Sequence, residues 1–533
     1  MNVGVHLNRA KLAQNYDTIV IGSGMGGLCT AACLAQSGQT VLVLERHYTP
    51  GGFTHTFERH DYIWDVGVHY VGSIQSPHSH IRKTFNYITG NRLHWQAMND
   101  IYDSIEVDGK IYDLVAGRER FRERMFAYFP QEKAAIDQYL NLLIQVNQCA
   151  SNYFLQKALP EWLGQKLYNT LSGPFLQYAT RTTDEILSSL ITDKTLIRVL
   201  TGQWVDYGLP PNESSFAMHA LVAAHYLSGA SYPVGGASAI ARNIEPVIQK
   251  AGGQIVTCAE VEKIIIEDGV ARGVRLVNGQ EVRGSYIVSA VGVNNTYGKL
   301  LPPPLQIPTE IARYLAGNQQ SISHLALYVG LHGTTHELAL HTTNLWLHRE
   351  PANTPIMREL SQLLGEDVKV VFISFPSSKD PEWLTRHPHH STLELIVPVS
   401  FERFAEWQHS RWKKRPPQYK RLKSEATRLL LEVLYSTLPH LRGHLDYAEM
   451  STPLSTRHFS NHAHGEMYGL RHDPQRFNQK WLRVDSQIKH LFLAGQDICT
   501  CGIGGALLSG VMAATRILGP IRGWILFKNT LLS

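Results

Sequence analysis

The stretch Asp17–Gly27, DTIVIGSGMGG, decides the fold. Its first half is a short apolar run rich in β-branched residues, which is typical of a strand buried in a parallel sheet. The glycines Gly22, Gly24 and Gly27 follow with G-x-G-x-x-G spacing and lead into a helix of small residues. We expect them to permit a tight turn, a close approach of backbone to a pyrophosphate, and close packing of helix on strand. The helix N-terminus then offers free N–H groups to the anion.

A second apolar strand, TVLVLE, begins at Thr40 and ends on Glu45, 18 residues after Gly27. A carboxylate at this position accepts hydrogen bonds from the ribose hydroxyls of a dinucleotide. It also disfavours the 2′-phosphate of NADP. Strand, glycine turn, helix, strand and acidic end therefore predict a dinucleotide-binding unit of the Rossmann type.

The segments that follow favour a cofactor longer than a nicotinamide dinucleotide. A second glycine pair, Gly51-Gly52, comes shortly after Glu45-Arg46. Near the other end of the chain, LFLAGQD reads as a buried strand that ends on Asp497 and feeds a helix near Gly502. Asp497 can accept a cofactor hydroxyl, and the N-terminus of the helix can stabilise negative charge on a reduced ring. Motifs at both ends predict a discontinuous cofactor domain with another domain inserted.

Composition excludes several functional classes. The chain has 533 residues, 50 Lys+Arg against 45 Asp+Glu, and a formal charge of +5. This mild charge, without a basic face or an aromatic RNA motif, argues against nucleic-acid binding. Six cysteines are too few for a disulfide scaffold. His458, His462 and His464 have a metal-like spacing, but they lie in a polar loop, and we predict no metal site.

Two features bear on membranes. The N-terminus lacks the apolar core of a signal peptide, and we interpret Gly502–Ile521 as a buried, glycine-rich helix. The basic run near Trp412 is either a solvated face or a contact with anionic lipid. Its cationic residues are Arg411, Lys413, Lys414, Arg415, Lys420, Arg421 and Lys423. Trp524 near the C-terminus would assist such a lipid contact. We expect a cytoplasmic protein, with peripheral membrane contact as the alternative.

The motifs together resemble the FAD-dependent phytoene desaturase and carotenoid isomerase superfamily, and within it the retinol saturase group. The matching strings include WDVGVHYVG at 64–72, YPVGGAS at 232–238 and GQDICTCG at 495–502. The resemblance implies FAD as cofactor and saturation of a C=C bond in a lipophilic polyene such as a retinol or carotenoid. A desaturase or cis–trans isomerase on the same scaffold is the first alternative. The second is a non-enzymatic lipid-binding protein of the GDP-dissociation-inhibitor type.

The resemblance and the motifs together give a predicted fold and site. The fold is α/β, a discontinuous Rossmann-like FAD-binding domain (1–80, 225–302, 471–533) with an inserted mixed α+β substrate domain (81–224, 303–470). Residues 81–224 read as largely helical. The predicted cofactor-binding residues are Gly22, Gly24, Met25, Gly26, Gly27, Glu45, Arg46, Gly51, Gly52, Val261, Asp497 and Gly504, with Val261 at the adenine by analogy with the family.

His69 and Tyr70, with Asp65 just before them, are predicted to lie at the reactive edge of the flavin. The alternative is that Asp65 caps the turn and that His69 is a buried histidine with its hydrogen bonds satisfied. His69 or Tyr70 would deliver the proton that must accompany a hydride. Met218 and Tyr226, with Phe216 and His219, are candidates for the wall of an apolar substrate tunnel. No second glycine fingerprint is present, so the electron source stays open between NAD(P)H and a reductant partner.

Overall fold

The predicted dinucleotide-binding unit forms the centre of the larger sheet. The computed structural model describes residues 3–302, 307–317 and 319–531. The strands of this sheet lie in the order Val5–His6, Gln254–Thr257, Val41–Leu44, Asn15–Ile21, Glu281–Ser289, Val270–Leu276 and Val261–Glu267, and Leu491–Leu493 also pairs with Glu281–Ser289. The first five and Leu491–Leu493 run parallel, whereas the last two form an antiparallel extension. The α/β Rossmann-like fold is confirmed.

A seven-stranded sheet faces the cofactor region from the inserted segments. Its order is Leu445–Ser451, Ser323–His332, His390–Val399, Val370–Ser374, Asn344–His348, Ile101–Val107 and Lys110–Val115. Residues 81–224 are largely helical, as expected, apart from the strands Trp95–Ala97, Ile101–Val107 and Lys110–Val115. Residues 103–107 of the second of these strands pair in parallel with Asn344–His348, and Ile105 and Val107 are buried there. The strands of each of the two large sheets fall inside the segments of one predicted domain, and the domain boundaries themselves stay a prediction.

Two small sheets join these layers. The hairpin of Thr56–Arg59 and Tyr62–Asp65 packs on the seven-stranded sheet, where Trp64 Nε1 donates to the carbonyl of Val329 at 3.1 Å. The strands Val71–Gly72, Ala230–Pro233 and Trp95–Ala97 form the other small sheet. The chain segment after the cofactor loops is thereby held between the two large sheets.

The helices cover both large sheets. Those with the most bearing on the site are Met25–Gln36, Lys133–Ala158, Phe216–Tyr226 and Gly502–Thr530. The other α-helices are His80–Thr89, Arg118–Tyr128, Glu161–Lys166, Tyr168–Ala179, Thr183–Leu190, Lys194–Leu200, Ala239–Lys250, Val293–Asn295, Thr309–Ala316, Pro355–Leu364, Pro376–Lys379, Trp383–Arg386, Pro417–Thr437, Pro453–Ser460 and Pro474–Phe477.

The helix Gly502–Thr530 has a buried first half and a partly exposed second half. The helix breaks at Gly519, which has a φ of 76° and is followed by Pro520. Ile521, Trp524 and Ile525 beyond it are 78%, 59% and 55% exposed. By length and composition this is the one helix among the described residues that is apolar enough to cross a membrane, and half of its most apolar stretch is buried within the protein. Length and composition alone are weak grounds for a membrane span.

Candidate active site

A single cavity of about 930 Å³ runs between the two large sheets. Its walls include the carboxyl ends of the parallel strands, where ligands bind in open α/β sheets. Thirteen of the fourteen predicted cofactor-binding and catalytic residues border this cavity. They are Gly22, Gly24, Met25, Gly26, Glu45, Arg46, Gly51, Gly52, Val261, Asp497, Gly504, His69 and Tyr70. The remaining candidate, Gly27, does not border it.

Gly27 has a packing role. A Cβ at this position would lie 2.1 Å from the carbonyl oxygen of Gly22. The residue therefore lets the helix Met25–Gln36 sit against the turn that precedes it, as the motif predicts, and is no direct lining residue. The N-cap of this helix is Gly24, which provides no side-chain acceptor, and no atom lies within 4 Å of its added Cβ position. Its first N–H groups are free to bind a phosphate.

Glu45 fastens the glycine turn to the second strand. Its Oε2 accepts from the N–H and the hydroxyl of Ser23 at 2.9 and 2.6 Å, and its Oε1 accepts from the N–H of His47 at 2.7 Å. The N–H of Gly51 in turn donates to Ser23 Oγ at 3.0 Å. The second glycine pair is thereby drawn in, and a Cβ on Gly52 would lie 2.9 Å from the Cα of Gly24. Both loops present backbone to the cavity.

The rim near Arg46 carries part of the basic run. Arg46 donates to the carbonyl of His458, and its guanidinium lies 3.8 Å from Glu260. The ring of Trp412 stacks on His458 with centroids 4.7 Å apart, and both Trp412 and Lys423 face the cavity. These two members of the run thus border the cofactor end of the cavity.

The ring of His458 therefore stacks on the ring of Trp412. Within the described residues, no three His, Cys, Asp or Glu side chains come together as a metal-binding group.

The C-terminal motif closes the cavity from the other side. Asp497 follows the strand Leu491–Leu493 and is buried, with its two oxygens accepting from the N–H groups of Leu470 and Val293, each at 2.9 Å. These two bonds hold three distant segments together and leave each oxygen a further lone pair for a ligand. The helix Gly502–Thr530 starts beside it, and its N-cap, Cys501, makes no side-chain cap.

FAD fits these residues. The uncapped N-terminus of the helix Met25–Gln36 borders the cavity beside the carboxylate of Glu45. The uncapped N-terminus of the helix Gly502–Thr530 borders another part of the cavity. The first suits a pyrophosphate and ribose. The second suits the electron-rich end of a reduced isoalloxazine.

His69 and Tyr70 lie on the cavity wall, whereas Asp65 does not. Asp65 points behind the wall, where it accepts from Tyr232 and from the N–H of Ala237 at 3.0 Å. It therefore supports the loop and is not at the reactive edge, which corrects the expectation for this residue. His69 Nδ1 lies 2.8 Å from Oε2 of Glu394. Burial and the charge of Lys379 lower the pKa of His69 to about 4, so the ring is neutral at neutral pH.

Sequence reasoning missed the ionisable residues in this wall and behind it. Lys379 donates to the carbonyl of His69 at 3.0 Å and to Ser374 Oγ at 2.7 Å. Burial raises the pKa of Glu394 to about 8 and lowers that of Lys379 to about 8. Asp103 and Asp206 flank the hydroxyl of Tyr70. The available signal was an isolated charge in an apolar strand, as in STLELIVPV at 391–399.

The far part of the cavity is apolar. Met218 and Tyr226 border it as predicted, whereas Phe216 and His219 are buried in the core beside it. The wall continues through Phe154 of the helix Lys133–Ala158 to Met512 and Phe527 of the C-terminal helix. Asn147 and Ser151 of the helix Lys133–Ala158 also belong to the lining, but most of the side chains named here are apolar and suit a hydrocarbon chain.

Comparisons with known proteins give consistent matches. The family model of flavin-containing amine oxidoreductases matches residues 25–408. The all-trans-retinol 13,14-reductase of Danio rerio is 34% identical over 528 residues, covering 96% of this chain and 87% of that protein. A chloroplastic prolycopene isomerase of an Oncidium hybrid cultivar is 26% identical over 551 residues, covering 97% and 86%. The solved cyclohexylamine oxidase from Brevibacterium oxydans has a TM-score of 0.59 at 16% identity, covering 94% of this chain and 98% of that one, which shows a shared fold.

Proposed function

We propose that this chain, which belongs to the flavin-containing amine oxidoreductases and to the all-trans-retinol 13,14-reductase group among them, saturates a C=C bond of a retinoid-like polyene. That it is an FAD-dependent oxidoreductase follows from its family. The identity of 34% with the Danio rerio reductase over almost the whole chain supports a retinoid as substrate. The GDP-dissociation-inhibitor alternative is therefore wrong.

The observation that carries the proposal is one continuous cavity with two chemically different ends. Glycine turns and Glu45 border the nucleotide end, and Phe154, Met512 and Phe527 border the apolar end. A polyene in the apolar end would reach the cofactor region beside His69 and Tyr70. Bound FAD, once reduced, supplies a hydride to one carbon of the double bond. The chain orients the polyene, excludes water and supplies the proton.

Membrane contact is part of this proposal, since a lipophilic polyene is stored in membranes. Phe527 and Leu531 border the cavity, while Ile521, Trp524 and Ile525 on the same helical segment are exposed. The exposed residues have the spacing i, i+3, i+4, which puts them on one helix face. We infer that this face rests on a bilayer and admits substrate at the apolar end. The basic run near Trp412 is not needed for this contact.

Isomerisation is the second candidate, because of the match to prolycopene isomerase. Saturation adds two hydrogens and shortens the conjugated system, whereas isomerisation leaves the mass and the number of conjugated bonds unchanged. A desaturase would consume oxidised flavin and lengthen the chromophore. The products therefore separate the three activities.

The experiment is an anaerobic absorbance titration. The purified protein is reduced with dithionite and excess reductant is removed before all-trans-retinol is added. We expect the flavin band to return while the polyene absorbance moves to shorter wavelength, with a product two hydrogens heavier. A flavin that stays reduced beside an isomerised polyene would overturn saturation and support the second candidate. Because dithionite supplies the electrons, the result does not depend on whether NAD(P)H or a protein partner is the physiological donor.

A further inference from the structure

A cluster of polar side chains forms the cavity wall next to His69, and the sequence motifs identified only one of its members, Tyr70. Tyr70 and Asp103 are buried, whereas Asp206 is half-buried. The centre of the cluster is the hydroxyl of Tyr70, which lies 2.9 Å from Oδ2 of Asp103 and 3.0 Å from Oδ2 of Asp206. Asp103 lies behind the wall and is 0% exposed. Tyr70 and Asp206 border the cavity. Asp206 is therefore the carboxyl group of this cluster that a substrate meets.

Counting protons in the cluster identifies its protonated member. Tyr70 has one hydroxyl hydrogen and lies between two carboxyl groups, so one contact must be made with a proton from a carboxyl group. Asp103 already accepts from Asn344 Nδ2 at 2.9 Å and from Gln203 Nε2 at 2.6 Å. These amide donors favour Asp103 as the carboxylate, to which Tyr70 donates. The proton that completes the contact between Asp206 and Tyr70 then belongs to Asp206.

The electrostatics agree with this assignment. Burial raises the pKa of Asp103 to about 7, and its hydrogen bonds with Asn344, Tyr70 and Gln203 oppose that rise. Burial and the neighbouring charge of Asp103 raise the pKa of Asp206 to about 8, although its hydrogen bonds with Tyr70 and Tyr226 oppose that rise. His69 is a poorer acid, because its ring is neutral at neutral pH. The remaining groups that face Asp206 have raised pKa values and stay neutral in this range: Tyr70, Tyr226, Tyr468 and Cys501.

We propose that Asp206 is the general acid that protonates the polyene, an inference that rests on the proposed saturase function. The hydride from reduced FAD forms one new C–H bond. The π electron pair of the double bond takes the carboxyl proton of Asp206 to form the other, which leaves FAD oxidised and Asp206 as a carboxylate. Tyr70 then turns its one hydroxyl hydrogen from Asp103 to that carboxylate until a solvent proton restores the acid, while Asn344 and Gln203 keep their bonds to Asp103. Asp103 positions Tyr70 and does not touch the substrate.

The first test concerns the proton itself and needs no substrate. Infrared difference spectra of the flavin-loaded enzyme, wild type minus Asp206→Asn, are recorded at neutral pH. We expect the C=O band of a protonated carboxyl group in the wild type, and we expect its loss as pH rises through about 8. Asp446→Asn is the matched control, because Asp446 accepts from Tyr62 at 2.8 Å outside the cavity and should leave the band intact. No band in the difference spectrum would overturn the inference.

The second test measures reoxidation of pre-reduced enzyme by all-trans-retinol. Asp206→Asn should retain FAD and its reduction by dithionite, but slow reoxidation by about 100-fold or more. A solvent deuterium isotope effect should accompany the wild-type rate, and that rate should fall tenfold per pH unit above about 8. Reoxidation of the variant at the wild-type rate would overturn the role of Asp206 alone. No reoxidation in the wild type would overturn the saturase proposal, while the infrared test still reports on Asp206.

Discussion

At the scale of a single residue, the carboxylate of Glu45 accepts hydrogen bonds from three donors in two loops. Removing it leaves the N–H groups of Ser23 and His47 without their acceptor and removes the expected ribose contact. We expect Glu45→Ala to weaken FAD binding by about 1–3 kcal/mol, which is about 5- to 150-fold in Kd. Titration of the apoprotein with FAD, followed by flavin fluorescence, measures this change.

Glu262→Ala is the matched control for Glu45. Glu262 also borders the cavity, but its side chain is 46% exposed and pairs with Arg275 on the surface. A surface pair contributes about 0–1 kcal/mol, so FAD affinity should change by less than about fivefold. Equal losses in both variants would mean that charge at the rim, and not the bonds made by Glu45, controls binding.

The glycines and Glu45 were predictable because they form a motif in one continuous stretch of the sequence. Asp206 and Glu394 were not, since each acts through partners from distant segments. Asp206 meets Tyr70 across 136 positions, and Glu394 meets Asp65 across 329. A single charge in an apolar segment signals a buried partner but does not name it. The catalytic proposal therefore had to wait for the tertiary structure.

At the scale of elements, the helices Met25–Gln36 and Gly502–Thr530 touch through glycine. A Cβ on Gly510 would lie 2.7 Å from the carbonyl oxygen of Gly26 and 2.6 Å from the Cβ of Cys29. Alanine gains about 1 kcal/mol of helix propensity over glycine, but overpacking costs about 1–3 kcal/mol. We expect Gly510→Ala to lower the urea midpoint of unfolding and, by shifting the phosphate-binding helix, the FAD occupancy.

Gly298→Ala tests whether the clash, and not the loss of glycine, is responsible. Gly298 lies in the helical turn Thr296–Leu300, is exposed, and has no atom within 4 Å of its added Cβ position. Its substitution should leave the urea midpoint unchanged or raise it. If Gly510→Ala behaves in the same way, the two helices do not depend on this close approach.

The sequence predicted that the last helix starts near Gly502, but treated residues 502–521 as one buried helix. The structure keeps the first half buried and turns the chain at Gly519, because a positive φ followed by Pro520 interrupts the helical hydrogen bonds. The Gly-Pro pair was visible in the sequence. Which side of it faces solvent was not, because the burial of a helix depends on elements far away in the chain.

At the scale of the whole molecule, the helix break at Gly519 leaves an apolar tip beside the apolar end of the cavity. The tip consists of the exposed residues Ile521, Trp524 and Ile525. Fully burying one large apolar side chain is worth about 1.5–3 kcal/mol, so a combined Ile521→Ser, Trp524→Ser and Ile525→Ser variant should bind neutral phosphatidylcholine vesicles at least about tenfold more weakly. Sedimentation with vesicles measures this partition. Turnover of retinol presented in vesicles should fall in parallel, whereas turnover of detergent-dispersed retinol should not.

The control for this tip is a variant with the same number of exposed apolar residues removed elsewhere. Ile111, Val277 and Leu384 are 57%, 63% and 54% exposed and lie on three other parts of the chain. Their joint replacement by serine should leave vesicle binding unchanged, because no two of them share a helix face. Neutral lipid excludes attraction to the basic run near Trp412, so the assay isolates the apolar contact. If both triple variants partition like the wild type, the tip does not contact the bilayer.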